Sequence, residues 1–183
     1  MDLFEAIRGR RSVRAFTESE PPGDYVEKIL EAGRWAPSWA NSQCVRYVVV
    51  RDAERIRRLR ETMPEKNPAR PAFDSAAFVL AVVAKHGLAG YKRGEPVADR
   101  AWHMFDAALA VQNVSLAAHS LGLGSVIVGL FDWRAADEVL GVPEGYETVC
   151  LVPFGYPKGE PPTPPRKPLS ELLSQETFKP DPQ

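Results

Sequence analysis

The sequence predicts an α+β protein built on one central sheet. Residues 77–84, AFVLAVVA, are continuously apolar, as expected of a strand that is covered on both faces. Residues 45–50 and 148–155 are rich in valine and other strand-forming residues and predict two further strands. Segments with apolar residues at helical spacing lie between these strands. This loose alternation of strands and helices favours helices packed against a single sheet.

Caps, spacing and helix breakers define the other elements. Asp2 can cap a first helix that Gly9 ends, and Pro37 stops a second helix that begins near Asp24. An alanine-rich helix is expected over residues 101–121. The remaining expectations, in chain order, are a helix after Asp52, a loop from Met63 to Asp74, a mobile loop over 86–100, a strand over 125–128, a short helix from Asp132 to Gly141 and a short helix near 169–174. The proline-rich tail, 156–183, is expected to be an extended arm that lies on another surface.

Length, charge and cysteine content limit the possible classes of protein. The 183 residues suit one domain over 1–183, and 44% hydrophobic with 26% charged residues is ordinary for a globular chain. A net charge of −1 argues against nucleic-acid binding. No apolar run approaches the ~20 residues that span a bilayer. The first segment resembles no secretory signal, and Cys44 and Cys150 lack metal-type spacing, so we expect a cytoplasmic protein.

The segment RGRRSVRAF contains four arginines within seven residues: Arg8, Arg10, Arg11 and Arg14. Arginine offers a rigid fork of donors that matches phosphate oxygens, and it keeps its charge at any relevant pH. The cluster could therefore bind an anion with several oxygens. It could equally be a solvated basic turn, because basic runs are often plain surface. The local sequence leaves both interpretations open.

A second polar segment, APSWANSQ at 36–43, places four small hydrogen-bonding side chains around Trp39. Loops of this composition are either plain turns or polar walls of a ligand site. The common motifs of catalysis are absent from the sequence: it contains no GxGxxG, no P-loop and no GxSxG. His86, His103 and His119 form no ligand pattern with cysteines or carboxylates in the sequence, so no metal site is predicted. A polyanion site without an evident acid, base or nucleophile suits an enzyme whose chemistry belongs to a cofactor.

Taken together, five segments resemble the FMN-dependent nitroreductase family. They are RRSVRAF, APSWANSQ, DAALAVQN before GLGS, PEGYETVCLVPFGYP and PRKPLSEL, in that order over essentially the whole chain. The resemblance implies a mostly antiparallel central sheet flanked by helices, in an intertwined homodimer with two FMN molecules at the interface. It also implies hydride transfer from NADH or NADPH to nitroaromatic, quinone or related acceptors by a ping-pong cycle. The chemistry then takes place at flavin N5, and no side chain is catalytic.

The resemblance also assigns residues to the FMN site. Arg10, Arg11 and Ser12 match the segment that holds the phosphate and ribityl chain, and Arg166 and Lys167 match basic residues that close on the phosphate. Arg14 matches the basic residue beside the flavin pyrimidine, where a fixed cation would favour the reduced, negatively charged flavin. The other assignments are Pro37, Ser38 and Asn41 in a loop from the partner chain, Asn67 at the pyrimidine, and Val128 and Gly129 with their backbone next to N5.

Two alternatives remain open at this point. The first is a specialised flavin enzyme on the same fold, such as a dehydrogenase, a dehalogenase or a flavin-fragmenting enzyme. The second is a non-catalytic flavin- or anion-binding module that uses the arginine cluster. Reduction of bound flavin by a nicotinamide would separate an enzyme from a flavin carrier.

Overall fold

The computed structural model describes residues 1–178 and 180 and is built around a four-stranded antiparallel sheet. The strands of this sheet are β1 Val45–Val50, β2 Phe78–Lys85, β5 Gly124–Ser125 and β6 Tyr146–Gly155, and a separate hairpin contains β3 Tyr91–Lys92 and β4 Glu95–Pro96. The helices are α1 Leu3–Gly9, α2 Tyr25–Arg34, α3 Ala53–Glu61, α4 Arg70–Asp74, α5 Trp102–Ser120, α6 Trp133–Leu140 and α7 Leu169–Leu172. The sheet order is β1-β2-β6-β5, with each neighbouring pair antiparallel. The predicted α+β class with an antiparallel sheet is confirmed.

Strand β2 is the centre of the core, as its apolar sequence predicts. Its side chains alternate between two hydrophobic clusters, one on each face of the sheet. Val79 and Ala81 pack with residues of α3, α4 and α6, whereas Leu80 and Val82 pack with residues of α2 and α5. All four of these side chains are fully buried. Because both faces of the sheet are covered by helices, β2 carries apolar side chains on both of its faces.

Three of the sequence-based boundaries are corrected by the structure. The predicted loop from Met63 to Asp74 ends in helix α4, because Pro71 lies in the first turn, where its missing N–H costs no hydrogen bond. The expected loop over 86–100 contains the β3–β4 hairpin. The expected strand over 125–128 is shorter, since β5 has two residues and Val128 adds only an isolated bridge to Leu151.

Helix α5 is buried on one side and exposed on the other. Ala107, Val111 and Val114 pack on the sheet with at most 3% of their surface exposed. Phe105, on the outer side, is 55% exposed, and its neighbours along that face, Ala108 and Gln112, are exposed too. Within the described residues, no helix has the length and apolarity needed to cross a membrane. Met104, which is 44% exposed, Phe105 and Ala108 form an apolar strip at the start of the outer side of α5.

The tail after β6 contains the short helix α7 and no strand within its described residues, and the extended arm stays a prediction. Leu169 and Leu172 on this helix are 71% and 66% exposed. The predicted domain over 1–183 and the predicted arm over 156–183 include residues 179 and 181–183, which lie outside the described residues. Treating the whole chain as one domain stays a prediction.

Candidate functional site

The arginine segment is fixed to the sheet like an additional short strand. Val13 N donates to Ser125 O at 2.9 Å, and Thr17 N donates to Tyr156 O at 2.8 Å. Val13 and Phe16 are buried, with 6% and 3% of their surface exposed. Since these two apolar side chains anchor the segment to the core, the arginines between and before them are left at the surface of the sheet edge. The segment is therefore an ordered part of the fold rather than a free basic turn.

Two glycines make this close approach possible. A Cβ atom added at Gly124 would lie 2.7 Å from a Val13 methyl carbon, and one added at Gly155 would lie 2.7 Å from Phe16 Cβ. Real Cβ atoms do not approach other carbons so closely, so any larger residue would push the arginine segment away from β5 and β6. Gly124 of the GLGS segment thus allows the arginine segment to pack closely against β5.

Arg10 and Arg11 line a cavity of about 400 Å³, which we name the arginine cavity. Its other lining residues include Ser115 and His119 of α5, the turn Gly122 to Ser125, and Pro157, Glu160 and Thr163 of the tail. The Arg11 guanidinium donates to Thr163 Oγ1 from Nε at 3.2 Å and from Nη2 at 2.7 Å. This contact brings the tail to the arginine segment across 152 residues of sequence.

Positive charge is concentrated in the arginine cavity. Within the described residues, the partly buried Arg10 guanidinium makes no hydrogen bond and no ion pair. Its pKa is lowered by burial, then by the charges of Arg11 and Arg166. The pKa of His119 is also lowered, by burial and then by Arg10 and Arg11. Glu160 lines the cavity but pairs with none of these cations. The charges of Arg10, Arg11 and Arg166 therefore add up here, and among the described residues none of the three forms an ion pair with a carboxylate, which suits a site for an anion.

The hydroxyl of Ser115 adds an unsatisfied donor to the same place. Ser115 is 1% exposed, and among the described residues its Oγ has no hydrogen-bond partner. A buried hydroxyl without a partner is costly, and a ligand that accepts its proton would remove that cost. The residues present therefore fit a phosphate group. Sequence reasoning missed Ser115 and His119, although their spacing of four residues places them on one face of α5.

Arg14 lines a second cavity, of about 410 Å³, together with Lys66, Asn67, Val128 and Gly129. Asn67 Nδ2 donates to Leu130 O at 3.1 Å, while Asn67 Oδ1 accepts from Ala69 N at 3.0 Å. Asn67 thereby holds its loop against residues 128–130. Arg14 is exposed, and its Nη1 donates weakly to Ser12 O at 3.4 Å. In the described part of the chain it forms no ion pair with Glu18, Glu20 or any other carboxylate.

The predicted loop residues Pro37 and Ser38 line a third cavity, of about 670 Å³, which none of the other predicted residues lines. The backbone of this loop is unusual, because Ala40, Asn41 and Gln43 have positive φ angles of 46°, 55° and 47°. Such conformations cost energy for residues other than glycine and persist only when neighbours impose them. Because the third cavity shares no lining residue with the first two, this loop lies apart from them in the single chain.

Buried Asp106 imposes that loop conformation. Its carboxylate accepts from Trp39 N at 3.0 and 3.1 Å and from Ser42 Oγ at 3.1 Å, and it is 2% exposed. Cys44 Sγ lies 3.5 Å from the same carboxylate. Burial, followed by the charge of Asp106, raises the pKa of the Cys44 thiol to about 11, so this cysteine is not a thiolate nucleophile.

The two C-terminal basic residues differ in their surroundings. The charge of Arg166 contributes to the lowered pKa of Arg10, and Arg166 Nη1 donates to the carbonyl oxygens of Pro164 and Pro165 at 3.3 and 3.2 Å. Lys167 Nζ lies 3.8 Å from a carboxylate oxygen of Glu171. The structure thus links Arg166 to Arg10 through its charge, while phosphate contacts by Arg166 and by Lys167 both stay predictions.

Comparison with known proteins identifies the class that this fold and site define. The model of the nitroreductase family matches residues 7–156. A protein of Methanothermobacter thermautotrophicus, whose name combines NADH dehydrogenase and NAD(P)H nitroreductase, is 32% identical over 89% of this chain and 81% of its own length. The FMN reductase [NAD(P)H] of Bacillus subtilis is 27% identical over 97% of this chain and 74% of its own. The structure of the NADPH:FMN oxidoreductase of Vibrio harveyi in complex with NAD+ superposes with a TM-score of 0.83, at 28% identity over 96% of this chain and 77% of that one.

The chain belongs to the nitroreductase family. The family resemblance found in the sequence is confirmed, and so is the predicted fold. The protein is accordingly a flavin-dependent oxidoreductase, as the sequence predicts at the level of enzyme class.

Proposed function

We propose that the protein binds FMN, accepts hydride from NADH or NADPH, and passes the electrons to nitroaromatic, quinone or related acceptors in a ping-pong cycle. FMN supplies the hydride-accepting position of this chemistry, and the chain's own residues bind and orient the flavin and stabilise its charge. The names of two relatives support the cofactor, since one is an FMN reductase and the other an NADPH:FMN oxidoreductase.

One observation carries the proposal: Arg10 and Arg11 line the arginine cavity beside a buried Ser115 hydroxyl that lacks a partner among the described residues, and the charge of Arg166 adds to theirs. A flavin mononucleotide presents a phosphate dianion that can accept from several donors at once. Charge-assisted hydrogen bonds from arginine are about twice as strong as neutral ones. His119 lines the same cavity as the arginines. Its lowered pKa favours the neutral imidazole, so His119 adds no positive charge to the cavity before a phosphate binds.

The second cavity suits the other end of the same ligand. Residues 12–14 connect the two cavities, since Arg10 and Arg11 line the first and Arg14 the second. In this arrangement Ser12 would hold the ribityl chain, Arg14 and Asn67 would bind the flavin pyrimidine, and the backbone of Val128 and Gly129 would border the position that accepts hydride. A fixed cation beside the pyrimidine stabilises the negative charge of reduced flavin.

A homodimer would complete the site. Pro37, Ser38 and Asn41 belong to a loop that lies apart from the first two cavities in one chain, so we propose that they reach the flavin of the partner chain. The exposed apolar strip of α5 and the exposed leucines of α7 support an interface between two copies. A cytoplasmic location stays a prediction, with which the two free cysteines agree.

The test is anaerobic reduction of the purified, flavin-loaded protein by NADH and by NADPH, followed by a panel of nitroaromatic and quinone acceptors. We expect the flavin absorbance to bleach with at least one nicotinamide and to return when an acceptor is added. A protein that binds FMN but is bleached by neither nicotinamide would be a flavin carrier, and the proposed activity would be wrong.

A further inference from the structure

A cluster of metal-ligand type lies outside the three cavities described above. It consists of His86, His103 and Glu147, whose ligand atoms all lie within 4.8 Å of one another. His103 Nε2 lies 2.8 Å from Glu147 Oε1, and His86 Nε2 lies 3.4 Å from Glu147 Oε2. The side chains of His103 and Glu147 are mostly buried, with 19% and 20% exposed, whereas His86 is 44% exposed. Each oxygen of the Glu147 carboxylate thus has one imidazole next to it, and the cluster is partly shielded from solvent.

The fold brings these three groups together from β6, the turn after β2 and the start of α5. Glu147 lies on β6 opposite Ala84 of β2, and His86 follows β2 with its backbone N donating to Gly145 O at 2.9 Å. His103 lies in the first turn of α5. The sequence contained no such pattern, because the residues are 17 and 44 positions apart and only the packing of α5 on the β2–β6 pair brings them together.

Hydrogen bonding accounts for only part of this geometry. The His103–Glu147 contact at 2.8 Å is a good hydrogen bond. The His86–Glu147 contact at 3.4 Å is longer than the 2.7–3.2 Å typical of such bonds. Ligand atoms around a tetrahedral zinc ion, each about 2.0–2.1 Å from the metal, lie roughly 3.3 Å apart. The observed separations from the carboxylate, 2.8 and 3.4 Å, bracket that value, so small side-chain shifts of the two histidines would bring the three ligand atoms to a tetrahedral arrangement.

We propose that His86, His103 and Glu147 form a zinc site. Two neutral imidazoles and one carboxylate are a donor set that Zn²⁺ favours, and they leave a fourth position for water. The two histidines flank residues 87–102, which contain the β3–β4 hairpin, so the bound ion ties the two ends of this surface segment together. None of the three residues lines any of the three cavities, so we assign the ion no part in hydride transfer.

The experiment is a titration of tag-free, flavin-loaded protein with zinc chloride by isothermal calorimetry. We expect one zinc ion per chain with a dissociation constant in the micromolar range or below. Glu147→Gln and His86→Gln should each weaken binding by at least about tenfold, because each removes or replaces a direct ligand. The matched control is Glu144→Gln, which makes the same change of charge at an exposed residue of the neighbouring turn and should leave the affinity unchanged.

A second measurement concerns the tied segment. Trypsin can cut after the exposed residues Lys92, Arg93 and Arg100. Zinc should slow cleavage at these sites severalfold in the wild type and in Glu144→Gln, but not in His86→Gln. The proposal is overturned if the wild type binds no zinc at micromolar concentrations, or if both ligand variants bind it as tightly as the control does. Unaltered cleavage in zinc-loaded wild type would overturn the proposed tie between the two ends.

Discussion

Arg10 is a partly buried cation whose guanidinium finds no partner in the described part of the chain, although Arg11 and Arg166 stand close to it. Local sequence left a solvated turn and an anion site equally open. What separates the two interpretations is the burial of Val13 and Phe16, which orders the backbone on both sides of Arg14. An ordered, repulsive group of arginines is maintained only at a cost, and an anionic ligand offsets that cost.

Replacing Arg10 and Arg166 together by alanine should yield protein that purifies largely colourless. Each charge-assisted contact contributes about 1.5–3 kcal/mol, so losing two should weaken FMN binding on the order of a hundredfold or more. The measurement is the FMN dissociation constant from fluorescence quenching. The control is Arg55→Ala with Arg58→Ala, which removes the same charge from the exposed face of α3. Full flavin occupancy in the Arg10/Arg166 variant would refute the phosphate assignment.

Arg14 should affect the redox potential more than flavin binding. If its guanidinium lies beside the flavin pyrimidine, it stabilises a charge that is present only in the reduced state. Arg14→Gln should therefore retain FMN and lower the reduction potential by on the order of 30 mV, a tenfold change for a two-electron couple. The potential is measured by equilibration with a reference dye, with Arg58→Gln as the control. An unchanged potential in flavin-replete Arg14→Gln protein would show that Arg14 is a surface residue without a role at the flavin.

At the scale of elements, α5 organises the molecule through polar groups as well as through packing. The same helix carries Asp106, which orders the loop at 38–43, and Ser115 and His119, which line the arginine cavity. Its buried side packs on the sheet through alanine and valine, so these polar residues have fixed positions relative to the strands. A single helix therefore sets the geometry of both the arginine cavity and the loop at 38–43.

Asp106→Ala should destabilise the protein and loosen the loop at 38–43. The change removes a buried acceptor of bonds from Trp39 N and Ser42 Oγ, and hydrogen bonds to charged groups contribute about 1.5–3 kcal/mol each. We expect the free energy of unfolding to fall by about 3 kcal/mol, measured by urea denaturation.

Asp106→Asn keeps one acceptor oxygen and should cost less than the alanine variant. Asp99→Asn, at an exposed position before α5, serves as the control and should leave the stability unchanged. If the loop completes the partner's flavin site, the Asp106 variants should also bind FMN more weakly in proportion to their loss of stability. Equal stability of Asp106→Ala and wild type would show that the loop conformation does not depend on this carboxylate.

At the scale of the whole molecule, the single chain leaves unusually many large apolar side chains exposed. They include Leu3, Phe4 and Ile7 on α1, Phe105 on α5, and Leu169 and Leu172 on α7. Isolated exposed apolar residues are normal, but side chains grouped on several elements indicate an interface. Obligate interfaces of this kind typically bury more than about 2,000 Å².

The protein should therefore have twice the mass of one 20.3 kDa chain in solution, as measured by light scattering after gel filtration. Phe105→Glu should shift the mass toward the monomer, because it places a charge in the proposed apolar interface, whereas Phe105→Leu should leave the dimer intact. Flavin should be lost together with the dimer. A monomeric wild-type protein that still holds flavin would contradict both the dimer and the shared site.

The sequence by itself determined the class of fold and the buried strand β2, since alternation, apolar runs and helix caps act over a few residues. It also determined the family, because five segments keep their order along the chain. Boundaries that depend on contacts with distant segments were less accurate: the bounds of α4 and β5 follow from packing and sheet pairing rather than from local propensity. Arg10, Arg11 and Arg14 were visible as a cluster, but the sequence alone could not show whether that cluster was ordered.

Only the tertiary structure decided which residues meet. Thr163 of the tail contacts Arg11, the charge of Arg166 acts on Arg10, and among the described residues the Ser115 hydroxyl in the arginine cavity has no partner. The same packing of α5 on the sheet placed His103 beside Glu147. In each case the physical reason is that these groups are distant in sequence and become neighbours through burial of apolar side chains, which specifies the fold without reference to the polar residues that it brings together.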